Sequence, residues 1–131
     1  MAQLKIVLSG GIPSKKNNRR WVGRGSRKFL VPSANYEIWH SNQMRELIKY
    51  RIKSPIVKCT MTIDIAFPNN IRADLSNKAE SVMDLLVDAG ILKDDCHQIV
   101  SSLNLKSLGA DKENPRAVII IEYENDTSAT S

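Results

Sequence analysis

Val57-Lys58-Cys59-Thr60-Met61-Thr62-Ile63-Asp64-Ile65-Ala66-Phe67 places Val57, Cys59, Met61, Ile63, Ile65 and Phe67 on one face of an extended chain. The period then changes. Leu75, Ala79, Val82, Met83, Leu86 and Ala89 recur at helical spacing and stop at Gly90, a residue suited to the left-handed position that follows a helix. A period of two marks a half-buried strand, and a period of 3.6 marks an amphipathic helix. With Gln98 to Leu105 as a further strand, the centre of the chain reads as a strand-helix-strand unit, its helix spanning Ser76 to Ala89.

Working outward, Leu4 to Ser9 alternates and meets Gly10-Gly11-Ile12-Pro13, a strand ending in a turn. Residues 14 to 28 carry seven basic side chains with Asn17-Asn18, Gly23 and Gly25, and read as a loop or open hairpin closed by Phe29-Leu30-Val31. Ser33 or Asn35 is placed to cap a helix reaching about Ile52, since Ile38, Met44, Leu47, Ile48 and Ile52 share a face and Ser54-Pro55 breaks it. Arg116 to Tyr123 supplies the last strand, joined to its predecessor through Gly109 to Pro115. The order predicts an α+β fold, a mixed sheet with two main helices packed on it. One domain over 1–124 and a flexible tail over 125–131 are expected.

Composition fits that frame. At 131 residues, 42% hydrophobic and 25% charged, the chain has material for one core, and a folded chain rather than wholesale disorder is expected. No apolar run approaches the ~18 to 20 residues that span a bilayer, and the N-terminus lacks the parts of a signal peptide, so a cytoplasmic protein is expected. Cys59 and Cys96 stand far apart outside any C-x-x-C pair, which predicts reduced thiols and no structural zinc.

Charge is sorted along the chain. Before the first acidic residue, Glu37, come Lys5, Lys15, Lys16, Arg19, Arg20, Arg24, Arg27 and Lys28. Between Asp74 and Asp95 stand Asp74, Glu80, Asp84, Asp88, Asp94 and Asp95 against Lys78 and Lys93 alone. An acidic cluster inside a chain of net charge +5 fits a protein whose cations hold phosphates while its carboxylates bind a divalent metal. Each half also has a plainer reading as a solvated charge run. Asp74 on its own reads more readily as a helix cap, Asn77 to Glu80 as a capping box, and Asp84 with Asp88 as exposed helix residues. For Asp94 or Asp95 to meet Asp74, the chain after Gly90 must fold back beside the preceding strand.

Asp74-Leu75-Ser76-Asn77, followed by Asp84-Leu85-Leu86, Ala89-Gly90-Ile91, Asp94-Asp95 and Gln98-Ile99, resembles the RusA-type Holliday junction resolvases, small homodimeric endonucleases of phages and bacteria. Their helix region reads D-x-D-N-x-x-K, then D-x-L, then D-D followed by Q-[IV], and it overlays this chain without a gap. Gly11-Ile12-Pro13-Ser14-Lys15-Lys16-Asn17 and Pro32-Ser33-Ala34-Asn35-Tyr36 are similar as well, so the resemblance runs from residue 3 to about 123. It implies an α+β fold, a homodimer, and Mg²⁺-dependent cleavage of four-way DNA junctions in recombination and repair by carboxylates, of which Asp74 and Asp95 match. Two positions depart: Ser76 replaces the second aspartate, and Glu80 stands where the motif has lysine. A carboxylate lost at one position and gained about 6 Å along the axis at the other reads as a relocated ligand.

On that reading Asp74, Glu80 and Asp95 hold Mg²⁺, or Mn²⁺ in its place, with Asp94 in or beside the shell. The metal lowers the pKa of a bound water, which attacks phosphorus in line. Ser76, Asn77, Lys78 and His97 are accessory candidates, while His40 near Tyr36 and Trp39 reads as packing. Lys15, Lys16, Asn17, Arg19, Arg20, Arg24 and Arg27 would contact backbone phosphates, which report DNA shape rather than sequence. Trp21 reads as an anchor of the basic loop or as a platform for an unpaired base. The rival readings are a catalytically inactive DNA-binding relative whose acidic site has decayed, and a nuclease directed at RNA or at DNA generally.

Overall fold

The computed structural model describes residues 2–13, 19–23, 25, 29–32, 34–50 and 52–124. Lys15, Lys16, Asn17, Arg24 and Arg27 lie outside the described residues, as do Ser33 and the expected tail over 125–131, and for Arg19, Arg20 and Trp21 only the backbone is described. Strand β1 (Ala2–Ser9) is followed by a hairpin of β2 (Arg19–Val22) and β3 (Phe29–Pro32), helix α1 (Ala34–Leu47), strand β4 (Cys59–Phe67), helix α2 (Leu75–Asp88), and strands β5 (Val100–Ala110) and β6 (Arg116–Tyr123). The main sheet has the order β1-β6-β4-β5, with β4 and β5 parallel and the other neighbours antiparallel. The expected α+β class, a mixed sheet with two helices, is the one found.

Register explains the core. Ile6 pairs with Ile119, which pairs with Ile63, and one pleat along Leu8, Ala117 and Ile65 repeat the arrangement. Because a strand presents alternate residues to one face, these rows lie on the same side of the sheet, and all six are buried. Ala79, Val82, Met83, Leu85 and Leu86 of α2 and Tyr36, Trp39 and Leu47 of α1 join them in a single apolar cluster. Fully burying one such aliphatic side chain contributes about 1.5 to 3 kcal/mol, so this face alone sets which way each strand must lie.

Some boundaries shift. The first helix starts at Ala34, which leaves Asn35 inside it rather than capping it, and it gives way at Ile48–Tyr50 to a tighter 3-10 turn. Val57 is exposed and β4 begins two residues later, because Ile56 bridges to Leu92 outside the ladder. The strand expected over Gln98 to Leu105 runs instead from Val100 to Ala110, and beyond Val100 nearly all of it is exposed, so the apolar alternation that would have marked its end is weak. It forms one edge of the sheet. Cys59 and Cys96 are both free thiols. No helix among the described residues is long and apolar enough to cross a membrane.

The turn after α2 directs the chain back toward the core. Gly90 has φ +76°, and around it Gly90 N–H donates to the Val87 carbonyl at 3.0 Å while Ile91 and Leu92 N–H donate to that of Leu86 at 3.0 and 3.2 Å. This closure satisfies carbonyls that the helix end would otherwise leave unpaired. It swings Ile91 and Leu92 in beside Ile56, whose N–H donates to the Ile91 carbonyl at 2.8 Å, and all three side chains are buried.

Candidate functional site

Asp74 occupies the N-cap position of α2 with an extended backbone, and its carboxylate makes no cap bond to the helix N–H groups. Instead it accepts a hydrogen bond at 3.2 Å from the Asn77 side-chain amide one turn on. A carboxylate at this end is favoured by the helix dipole, and Asn77 fixes its orientation. The capping-box reading of Asn77 and Glu80 is thereby displaced, because both sit inside the helix. Glu80 and Ser76 are exposed, and Lys78 is half-buried, its ammonium held below its usual pKa by burial.

The other acids lie elsewhere. The chain after Gly90 does return beside β4, but in parallel, with Val100 opposite Cys59 at the start of that strand. Asp94 and Asp95 therefore fall near the beginning of β4, whereas Asp74 follows its end, and α2 between them is about 21 Å long at 1.5 Å per residue. The expected meeting of Asp74 with Asp94 or Asp95 does not occur within one chain. A parallel return reaches the start of its neighbour by construction, so the helix separates the two ends. Among the described residues no three His, Cys, Asp or Glu side chains are placed to hold a metal ion together.

Asp94 and Asp95 are bonded neighbours, and the charge of Asp84 reaches Asp95. Asp95 lies at the surface, yet the protein around it raises its carboxyl pKa, chiefly by desolvation and then through the Asp94 carboxylate and the charge of Asp84; a backbone N–H bond pulls the other way. Its own N–H donates to Asp94 Oδ1 at 2.8 Å. Asp84 also acts on α1: burial, then Asp84 and Asp88, push the Tyr36 hydroxyl up to about 12. His40, its ring tilted against that of Tyr36 with centroids 5.9 Å apart, pairs with Asp88 at 2.7 Å and so ties α1 to α2, which goes beyond the packing role expected of it. His97 is exposed in the turn before β5. The grouping of Asp84 with Asp94 and Asp95 escapes sequence reasoning because its partners lie beyond a turn. The sequence signal for it is the Glu80, Asp84, Asp88 stripe.

At the Asp74 end lies a pocket of about 420 Å³. Trp39 and Phe67 line it, with Asn35, Asn69, Arg72 and Lys78 as its polar groups, and Gly11 to Pro13 form another wall. The hydroxyl of Ser81, buried in α2, donates to the Pro13 carbonyl at 2.7 Å and anchors that wall just before the basic segment begins. None of Trp39, Phe67 or Arg72 stands out as a site residue in the sequence, since each belongs to an element whose period explains it as packing or loop.

No family model matches the chain. It is similar to the crossover junction endodeoxyribonuclease RusA of Aquifex aeolicus (strain VF5), 27% identical over 97 residues, which cover 72% of this chain and 74% of that protein. The match supports the RusA-like assignment drawn from the motifs.

Proposed function

We propose that this RusA-like chain is a metal-dependent endonuclease that cuts four-way DNA junctions as a homodimer in the cytoplasm. The observation that carries the reading is the acidic stretch from Asp74 to Asp95 in a basic chain, overlaid on the resolvase pattern without a gap and supported by similarity to a junction endonuclease. Asp74, Glu80 and Asp95 are the catalytic carboxylates and metal ligands, and Asp94 lies beside Asp95. Oxygen donors alone suit Mg²⁺, which commonly takes one or two carboxylates and completes its shell with water and substrate phosphate, so a large protein cage is not required. When bound, the metal supplies an activated water and charge stabilisation at the cleaved phosphodiester.

The residues of the chain have separate tasks on this reading. Asn77 orients the Asp74 carboxylate. Asp84 and Asp94 concentrate negative charge on Asp95, and a cation there relieves the repulsion that helps raise its pKa. Lys15, Lys16, Asn17, Arg19, Arg20, Arg24 and Arg27 hold the backbone phosphates of the branched DNA. Since α2 separates Asp74 from Asp95 within a chain, a shared site requires the Asp95 end of one copy to meet the Asp74 end of the other.

Complementation tests this arrangement. Asp74→Asn and Asp95→Asn each abolish nicking and leave junction binding equal or stronger. A mixture of the two variants regains nicking, because mixed dimers then contain one site with both carboxylates. Loss of binding in folded single variants would contradict the assignment, and a silent mixture with proven subunit exchange would contradict sharing across the dimer.

A further inference from the structure

The pocket beside Asp74 has a composition that the cleavage chemistry does not need. Trp39 and Phe67 offer aromatic surface, and Asn35 and Asn69 offer amides. Arg72 and Lys78 supply cations, and among the described residues no carboxylate lines it. Its volume lies within the range of sites that hold small organic ligands. The Trp39 indole, 9% exposed, has an Nε1–H with no hydrogen-bond partner among the described residues, a cost that interiors rarely leave uncompensated. Asn69 Oδ1 already accepts the Ile71 N–H at 3.0 Å, which leaves its amide hydrogens as donors toward a ligand.

We propose that this pocket receives one unstacked nucleobase of the DNA junction, stacked against Trp39 or Phe67, with its phosphate held by Arg72 and Lys78. The inference rests on the endonuclease reading and deepens it by naming a nucleotide subsite. Flat aromatic surface, amide groups for a base edge and two cations for the adjoining phosphate form a set that a nucleotide satisfies as a unit. Ala73 lines the pocket and Asp74 follows it directly, so the phosphodiester next to the held base lies at the carboxylate that Asn77 orients. A junction is a suitable source, because bases at its crossover are already poorly stacked and cost less to withdraw than those in a duplex.

The test uses the full chain, four-way junctions in which a single abasic nucleotide is moved stepwise through the positions flanking the cut, and gel-shift affinity without divalent metal. Wild type is expected to show one position at which the missing base weakens binding roughly tenfold, the scale of one stacked base. Ala73→Leu, an exposed change that fills the pocket, and Phe67→Leu, which keeps apolar bulk but removes the ring, are each expected to erase that penalty while melting near wild type. 5-Iodouracil at the sensitive position should photocrosslink to Trp39 or Phe67. Binding and cutting of junctions with no sensitive position, or crosslinks confined to other peptides, would overturn the pocket and spare the endonuclease reading. A protein that prefers no branched DNA and shows no metal-dependent cleavage would overturn both.

Discussion

Gly90→Ala isolates the backbone conformation that sends the chain from α2 to Asp94 and Asp95. Gly90 has φ +76°, and a Cβ built there meets nothing within 4 Å, so the substitution adds strain without a clash. A left-handed conformation costs an L-residue about 1 to 2 kcal/mol, and replacing glycine recovers about 0.4 to 1 kcal/mol by restricting the unfolded chain. The net expectation is a loss of about 1 kcal/mol, or about 4 °C in Tm for a domain of this size. Gly90→Asn should cost less, because asparagine tolerates the left-handed region better than alanine. Urea unfolding at fixed pH, with the m-value compared among the three proteins, measures the difference. An unchanged or more stable Gly90→Ala protein would refute the left-handed turn. A loss beyond about 3 kcal/mol would refute the claim that strain is the whole effect.

Asp95 has a folded pKa raised above its unfolded value, so its contribution favours folding below the unfolded pKa and is lost as pH rises through the folded one. Asp95→Asn should therefore raise Tm at neutral pH and lose that advantage near pH ~3, below the ordinary carboxylate range; thermal melts between these limits check the sign. The triple change Lys16→Ala, Arg19→Ala and Arg20→Ala should weaken junction binding and lower the log-log salt slope by about 0.9 for each phosphate no longer neutralised, and an unchanged slope would acquit the basic segment. Glu80→Lys should reduce cleavage by orders of magnitude, and adding Ser76→Asp should restore much of it, because the pair conserves the number of carboxylates at one site. Full activity in Glu80→Lys alone would show that Glu80 is not a ligand.

The fold is legible in the sequence where one face of an element is buried. Cys59, Met61, Ile63 and Ile65 announce β4, and Leu75 to Leu86 announce α2, because burial on one side imprints a period on the sequence. The far end of β5 is not legible, since Leu103 and Leu108 are exposed and no period ends there. The acids stand out as a set but their grouping does not. Where Asp95 falls depends on β5 returning beside β4; a helical crossover makes that return parallel, but the exposed β5 carries no local period that marks β4 as its neighbour. The pocket draws Gly11, Trp39 and Phe67 from three separate stretches, so only the assembled fold reveals it.

Metal-dependent cutting of branched DNA by carboxylates is open to a direct titration. A synthetic four-way junction and a duplex of the same sequence, each end-labelled, are incubated with the purified protein across a Mg²⁺ series and with chelator. Paired, symmetric nicks are expected in the junction that arise with Mg²⁺, vanish with chelator and are absent from the Asp74→Asn protein, while the duplex stays intact. Tight junction binding with no nicking in Mg²⁺ or Mn²⁺, or nicking that survives Asp74→Asn and Asp95→Asn, would contradict carboxylate-directed cleavage.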